Sequence, residues 1–587
     1  MAYDLLTTSG INSLVNSYIN SEKSNRISPL ETRKTKYTKI SNIYSGLLTK
    51  VDALKSKMNT LKATGTSSAF AAKKAVSSNT TAVTVSANQS AQRGNFSLRV
   101  NQLAKNDLVV SLDKNSNSFS SITAPGTYSF TMKSGDGEGG QFYSNISLNL
   151  TESDFTNGNI TFDALSKKIS KAINDDKAEV LSDSVSGSSI SSGTFKVNLN
   201  GTETTINYSA GTYEEVIDSI ISQLENISGL TAEKVADGSN VKLKFTVTDS
   251  SKYISINSDT GSLLSELGIS VNKEKGASGV VSAASFYPAA GLSQISLTAK
   301  NSGSGFSIEE ISDTSGNILS EFGLNLGTNR TAFVQNESGE DTAGFVYNLS
   351  SLNAKINFNG LNIERYSNTI SDLVTGVTIS LKAVMSEDDT DVNIDVTNDV
   401  SSVKGKVEEF ISAFNDIYTY IKTNSTSVDG VRGILLGDAS ASSLLNILSS
   451  TAYSPVSGLG SGTINSLSKM GITFNTNTGL SITDSSQLTN VLEDNILEVE
   501  QLFVSENGVA SNLYNKLQPY TGSAGYLTTR KNSLDNNIES INDSITQAQS
   551  KIDKRAEALR MQYIQLQSQL SELFASVGNF NSDIWGI

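Results

Sequence analysis

The sequence predicts an α+β multidomain protein: a discontinuous helical coiled-coil stalk drawn from both termini, with β-rich domains inserted into it. Three observations predict this. The stretch Thr529–Val577 carries apolar residues at alternating steps of four and three, and so does Tyr37–Leu61 near the other end. Between them the apolar period drops to two and Gly, Ser, Thr and Asn become dense, as in turn-rich β structure.

The C-terminal seam reads Leu534, Ile538, Ile541, Ile545, Ala548, Ile552, then Leu559, Tyr563, Leu566, Leu570, Leu573 and Val577, with Arg555 its one interruption. No Gly or Pro lies between Arg530 and Val577, so nothing in the stretch breaks a helix. At 1.5 Å per residue it spans roughly 70 Å and needs long partners.

The first partner is Tyr37, Ile40, Tyr44, Leu47, Val51, Leu54, Met58 and Leu61. Ser28 is placed as its N-cap, with Pro29 at the first helical position, Glu31 as the capping-box acid and Gly65 as the stop. A third seam runs Val403, Val407, Phe410, Phe414, Ile417 and Ile421, capped by Asn398 or Asp399. The β material is therefore an insertion into helices. The predicted division is 1–27, a flexible terminal leg with Leu5, Leu6, Ile11, Leu14 and Val15; 28–93, the first stalk helix and strand; 94–376, β-rich head domains, two in number; 377–504, the return into the stalk; and 505–587, the C-terminal helix and leg.

Composition limits the chemistry. The 587 residues include 45 Lys and Arg against 59 Asp and Glu, a net charge of −14, with no basic cluster to suit nucleic acid or an anionic membrane. No apolar run is long enough to span a bilayer, and Met1–Gly10 lacks the charged and apolar regions of a Sec signal. There is no Cys and no His, which removes disulfides, thiol nucleophiles, Ser-His-Asp triads and most transition-metal sites. No cofactor, metal site or catalytic residue is predicted, and the chain is not read as an enzyme.

Within the head, Ala82–Val85 and Phe96–Val100 read as strands. Phe195–Leu199, Asn200-Gly201 and Thr204–Tyr208 form a hairpin signal. Helices follow at Phe162–Ile173 and Tyr213–Leu224, so a strand-strand-helix order occurs twice. Ser258–Ile269 and Ser312–Leu324 echo one another, each after a strand-like run, Val241–Thr248 and Gln294–Ala299. Beyond the head, strands are expected at Val377–Leu381, Val392–Val396 and Leu480–Thr483, and helices at Val400–Lys422 and Gln487–Phe503, before the turn Thr521–Tyr526.

At this point the residues carry a resemblance. Ser9–Val15 resembles a Ser-Gly-aliphatic opening, with Pro29-Leu30 after it. Gly94 and Phe96–Val100, continuing to Gln102-Leu103-Ala104, resemble a second family stretch. Thr194–Leu224 and on to Val247 resemble a repeat found inside flagellins and cap proteins. Asn359-Gly360, Ser367–Leu373 and Gly376-Val377-Thr378 resemble the return into the stalk. Phe410, Phe414-Asn415, Leu436-Gly437-Asp438, Met470-Gly471-Ile472 and Gly479-Leu480 complete the order. The family is that of the flagellar filament cap, the flagellar hook-associated protein 2 family. It often has Tyr-Asn where this chain has Phe414-Asn415, a swap compatible with helix packing.

The resemblance implies a structural capping protein at the distal tip of the bacterial flagellum, self-assembling into a homo-oligomeric ring that retains exported flagellin and promotes its folding and insertion. It implies flagellin, the hook–filament junction protein and an export chaperone on the C-terminal helix as partners. It also implies export by the flagellar type III apparatus to an extracellular position. Leu5, Leu6, Ile11, Leu14, Val15, Leu566, Leu570, Leu573 and Phe574 are the expected filament contacts. Tyr44, Leu47, Val51, Leu54, Ile538, Ile541, Ile545, Ile552 and Leu559 are the expected coiled-coil seam. Another flagellar axial protein (a junction protein or a flagellin) and a surface adhesin using the β domains are the alternative readings.

Other motifs carry less. Asp389–Asp395 resembles the start of a calcium loop, but its sixth position is Ile394 and its twelfth is Val400, so a strand with Val392, Ile394 and Val396 inward is expected. Gly458–Gly462 lacks the Gly-Lys-Ser/Thr end of a phosphate loop and reads as a turn. Trp585 is read as a packing or docking anchor.

Overall fold

The computed structural model describes residues 7–185, 189–238, 240–257, 260–335, 341–427 and 429–585, with backbone only for Asp341 and 577–585. Leu5 and Leu6 and the side chains of Val577 and Trp585 lie outside the described residues. The chain divides into two compact units: Met1–Lys74 with Asn88–Ser90 and Asn398–Ile587, and Ala75–Ala87 with Ala91–Thr397.

The first unit is helical. Thr7 caps a helix over Thr8–Glu22, accepting from the Gly10 N–H at 3.1 Å. A π-helical turn at Lys23–Ile27 joins it to the long helix Ser28–Leu61. This corrects the expected start: Ser28 is already helical and caps nothing. The wide turn ends just before Pro29, where the missing N–H disrupts regular i→i−4 bonding, so the chain loosens its helix there instead of beginning one. The stop also differs from the expectation: the helix ends at Leu61 with Lys62 as its C-cap, and Gly65, at φ +64°, opens the short 3-10 turn Gly65–Ser67 that follows.

The terminal helix runs Tyr526–Trp585, 60 residues and about 90 Å, extending beyond the apolar seam at both ends. The third helix is Val400–Ser425, capped by Asp399, whose carboxylate accepts from the Ser402 N–H at 3.0 Å. Together with Ala439–Tyr453, Val509–Leu517 and the hairpin Ile472–Asn475/Gly479–Ile482, these helices enclose one core. Leu47, Leu54, Met58, Phe410, Phe414 and Phe503 are wholly buried in it. The helix expected over Gln487–Phe503 is two, Ser485–Asp494 and Ile496–Val504. Asn495 leaves helical backbone at φ −126°, and the bend brings both Leu488 and Leu492 and then Val499, Leu502 and Phe503 into the same core.

The second unit is β-rich and has three cores. At its base, Val392–Asn398, Gly94–Gln102, Ala354–Phe358 and Leu361–Arg365 are neighbours in one sheet, and Val83–Ala87, Val377–Leu381 and Thr369–Ile370 form another. Val392, Ile394 and Val396 are buried, as the strand reading requires. Asp391 instead pairs outward with Arg99 at 2.8 Å.

Two lobes extend from this base. The inner lobe holds the hairpin Gly126–Gly135/Gln141–Leu150, the helix Phe162–Asp175 and the strands Val281–Phe286, Leu292–Ser302 and Ile308–Ser315. Inside it, Arg330 forks the fully buried Asp107 with two 2.9 Å bonds. The outer lobe holds the hairpin Gly193–Leu199/Thr202–Tyr208, the helix Tyr213–Leu224 and the strands Leu230–Asp237, Asn240–Val247 and Tyr253–Asn257. The strand-strand-helix order therefore occurs once in each lobe. Asn200 and Gly201 both have positive φ, 51° and 92°, as a two-residue hairpin turn of matching twist demands.

The sequence echo is a turn. In the outer lobe the Ile269 N–H donates to Leu264 O and the Gly268 N–H to Ser265 O. In the inner lobe Leu324 donates to Leu319 O and Gly323 to Ser320 O. Both glycines are left-handed, at φ +61° and +67°, so each is a glycine-stopped helical turn that buries the apolar residues around it. A further strand follows each expected strand: Tyr253–Asn257 comes before the first echo, and Ile308–Ser315 runs into the start of the second.

Candidate functional site

The predicted contact and seam residues all belong to the helical unit. Tyr44, Leu47, Val51 and Leu54 are buried, as are Ile541 and Ile552 on the terminal helix, while Ile538, Ile545 and Leu559 are half-buried. The gap at Arg555 is filled by its neighbour: Ala556, 5 % exposed, continues the step of four from Ile552. An alanine carries too little apolar surface to mark a seam by eye, but the spacing was present.

Polar contacts fix the register. Ser41 donates to Asp535 at 2.5 Å, and Lys531 pairs with the same carboxylate at 2.6 Å. Tyr44 donates to Asp438, the carboxylate that also caps the helix Ala439–Tyr453 by accepting from the Ala441 N–H at 2.9 Å. Burial, and then this bond to Asp438, push the Tyr44 phenol up to about 12. Gly437, at φ +84°, gives the chain the left-handed turn that delivers Asp438. The Leu436-Gly437-Asp438 motif thus binds the first long helix to the rest of its unit.

The nine expected filament contacts separate. Ile11 and Val15 are 2 % and 1 % exposed, covered by the chain's own Ala556 with Tyr18, Ile19 and Tyr563 around them. Leu14, Leu566, Leu573 and Phe574 face outward, 36 to 56 % exposed, and Leu570 is half-buried. Met561 and Ile564, which the heptad reading passes over, are exposed beside them. Past Tyr563 the terminal helix thus carries Leu566, Leu573 and Phe574 with about half of each side chain exposed.

A groove of about 930 Å³ lies on the same unit, between the outer face of Ser28–Ile40 and the loop at Arg432–Leu436. Ile40, Ile434 and Leu436 line it together with Lys36, Lys39 and Arg432. Among the described residues no group of three or more acidic side chains is placed to hold a metal, and no helix is long and apolar enough to cross a membrane.

Comparison with known proteins gives a consistent result. A family model described as the flagellar hook-associated protein 2 N-terminus matches residues 9–107, and one described as its C-terminus matches residues 351–575. The stretch between the two matches contains both inserted lobes. The A-type flagellar hook-associated protein 2 of Pseudomonas aeruginosa is 28 % identical over 370 residues, covering 61 % of this chain and 76 % of that protein. The flagellar hook-associated protein 2 of Salmonella typhimurium is 25 % identical over 250 residues, 40 % of this chain and 52 % of that one. The crystal structure of the D1-D2-D3 domains of the flagellar cap protein from Escherichia coli covers 84 % of this chain and 99 % of its own, at 16 % identity and a TM-score of 0.45.

Proposed function

Since the chain belongs to the flagellar hook-associated protein 2 family, we propose that it caps the growing end of the flagellar filament as a homo-oligomeric ring, keeping exported flagellin at the tip while it folds and inserts. The observation that carries the reading is the terminal helix. It is held by Ile11, Val15 and the bundle at one end, and runs on with Leu566 and Leu573 exposed at the other. A helix that keeps large apolar residues in water has a partner to bury them. A leg reaching among filament subunits supplies that partner, and the binding energy offsets the ordering of its end.

The same exposed row is a hazard before assembly, which fits a chaperone covering the C-terminal helix until export through the flagellar type III apparatus. The hook–filament junction protein is the neighbour the cap meets before the filament grows. The protein acts outside the cell as a structural component and performs no catalysis.

Deleting the gene tests this directly. Monomeric flagellin in the spent medium and cells with bare hooks are expected, and added purified chain restores filaments. Filaments of normal length on the deletion strain overturn the capping role.

A further inference from the structure

The two inserted lobes share one seven-stranded sheet, and the join is very narrow. Its order places Tyr253–Asn257 of the outer lobe and Gln141–Leu150 of the inner lobe on either side of Lys273–Lys275. This splice strand is three residues long. It pairs antiparallel with the outer strand and parallel with the inner one, and Glu274 stands at its centre opposite both Ile254 and Tyr143. The chain crosses between lobes a second time at Asp176–Ala178, and the crossings touch. A Cβ on Gly276 would sit 2.6 Å from the Asp176 carbonyl oxygen and 2.6 Å from the Lys177 Cα.

A carboxyl from each crossing is placed at this join. Glu274 is 5 % exposed, and its one described hydrogen bond is from the Asn145 amide at 3.0 Å. Asp176 accepts from the Ala277 N–H at 2.6 Å. Neither has an ion-pair partner among the described residues. The surrounding charges are engaged elsewhere: Lys273 with Asp136, Glu179 with Lys244, Asp175 with Lys171, and Lys300 with the Ser278 carbonyl. Lys275 lies over the Phe142 ring, its ammonium pushed down by burial and by Lys300. Lys177 is exposed.

We infer that Asp176 and Glu274 form a proton-governed latch between the lobes, closed while the pair holds protons and loosened when both carboxyls are ionised. Two anions without a counter-ion, Glu274 buried and Asp176 half-buried, repel one another and are poorly solvated, and the three-residue splice offers few backbone pairings to resist them. Burial pushes both carboxyls up to about 7, Glu274 further helped by the charge of Asp176, and Asp176 by that of Glu179. Both values stand above those of the unfolded chain, so the stability they contribute is full in acid and is lost as pH rises toward and through 7. The latch therefore loosens on the alkaline side.

Amide hydrogen exchange on the full chain at pH 6 and pH 8, with labelling times scaled to the intrinsic rate, reads the latch in peptides covering 141–150, 253–257 and 273–277. Protection there is expected to fall by roughly tenfold per carboxyl, while the helix Tyr213–Leu224 stays protected. The double variant Asp176→Asn, Glu274→Gln should show no such fall and should keep at pH 8 the protection of the wild type at pH 6. Lys275→Met should leave the fall in place. A wild type that is flat between the two pH values overturns the latch whatever the variants do. So does a folded double variant that keeps the fall, or its loss in Lys275→Met.

Discussion

The side-chain amide of Asn415 pairs with the backbone of Leu480 as one strand pairs with another. Its Nδ2 donates to the Leu480 carbonyl and its Oδ1 accepts the Leu480 N–H, both at 2.7 Å. Gly479, at φ +88°, leaves the room: a Cβ there would lie 2.1 Å from Asn415 Oδ1. Asn415 follows the wholly buried Phe414 in the helix Val400–Ser425, so the helix seam and the hairpin are locked by adjacent residues.

Asn415→Ala removes both bonds and leaves a backbone donor and acceptor of the buried Leu480 unmatched. The expected cost is about 2 kcal/mol in the denaturant unfolding of the helical unit. Asn415→Asp keeps the acceptor and loses the donor, so it should fall between. Equal stability of Ala and wild type would remove the pairing from the account.

Tyr44 sets an alkaline limit. Its phenol stands above the ordinary value of 10 when folded, so its contribution is full below pH 10 and is lost as pH rises toward 12. Thermal melts should show Tm dropping over that range, and Tyr44→Phe should flatten Tyr44's share of the drop at a cost of about 1 kcal/mol at neutral pH. Asp438 remains the cap of Ala439–Tyr453 in that variant, so the helix itself should survive.

Two left-handed glycines separate backbone strain from crowding. Gly65 has φ +64° and open space around its missing Cβ, and Gly268 has φ +61° with Asp183 Oδ2 2.0 Å from it. Gly65→Ala should cost about 1 kcal/mol, the left-handed penalty alone. Gly268→Ala should cost more, because the Asp183 carboxylate must also move. Equal losses of Tm would mean that the Asp183 side chain yields freely.

The exposed end of the terminal helix separates assembly from folding. Replacing Leu566, Leu573 and Phe574 together by Ser should leave the melting of the unit unchanged within about 0.5 kcal/mol, since all three face solvent. The variant should fail to restore filaments to a deletion strain. Ile11→Asp has the opposite profile: it places a charge in the small cluster with Val15 and Ala556, and should free the N-terminal helix from the terminal one. Limited proteolysis reads that release.

Legibility in the sequence followed how local the cause was. The hairpin at Asn200-Gly201 and the helix Tyr213–Leu224 were readable because positive φ and a 3.6-residue apolar period arise within a few residues. The start of the first long helix was misread because Ser28, Pro29 and Glu31 compose a valid cap in isolation, and nothing local reveals a helix already running from Thr8. Ala556 was passed over because one methyl group is a weak signal, although its burial is nearly complete.

The sequence by itself determined the three long helical seams, the β-rich character of the inserted region, its insertion between helices, and the absence of Cys and His chemistry. Those follow from local backbone preference, apolar period and composition. Only the tertiary structure decided which residues meet. Ile11 and Val15 look as available as Leu14 in the sequence, yet the fold covers the first two and leaves the third in water. Asp176 and Glu274 lie about a hundred residues apart in the sequence, and only the fold brings their two crossings together, where Gly276 packs on the backbone of Asp176 and Lys177. Burial and pairing depend on distances through space between residues remote in the chain, and the local sequence around either partner does not encode them.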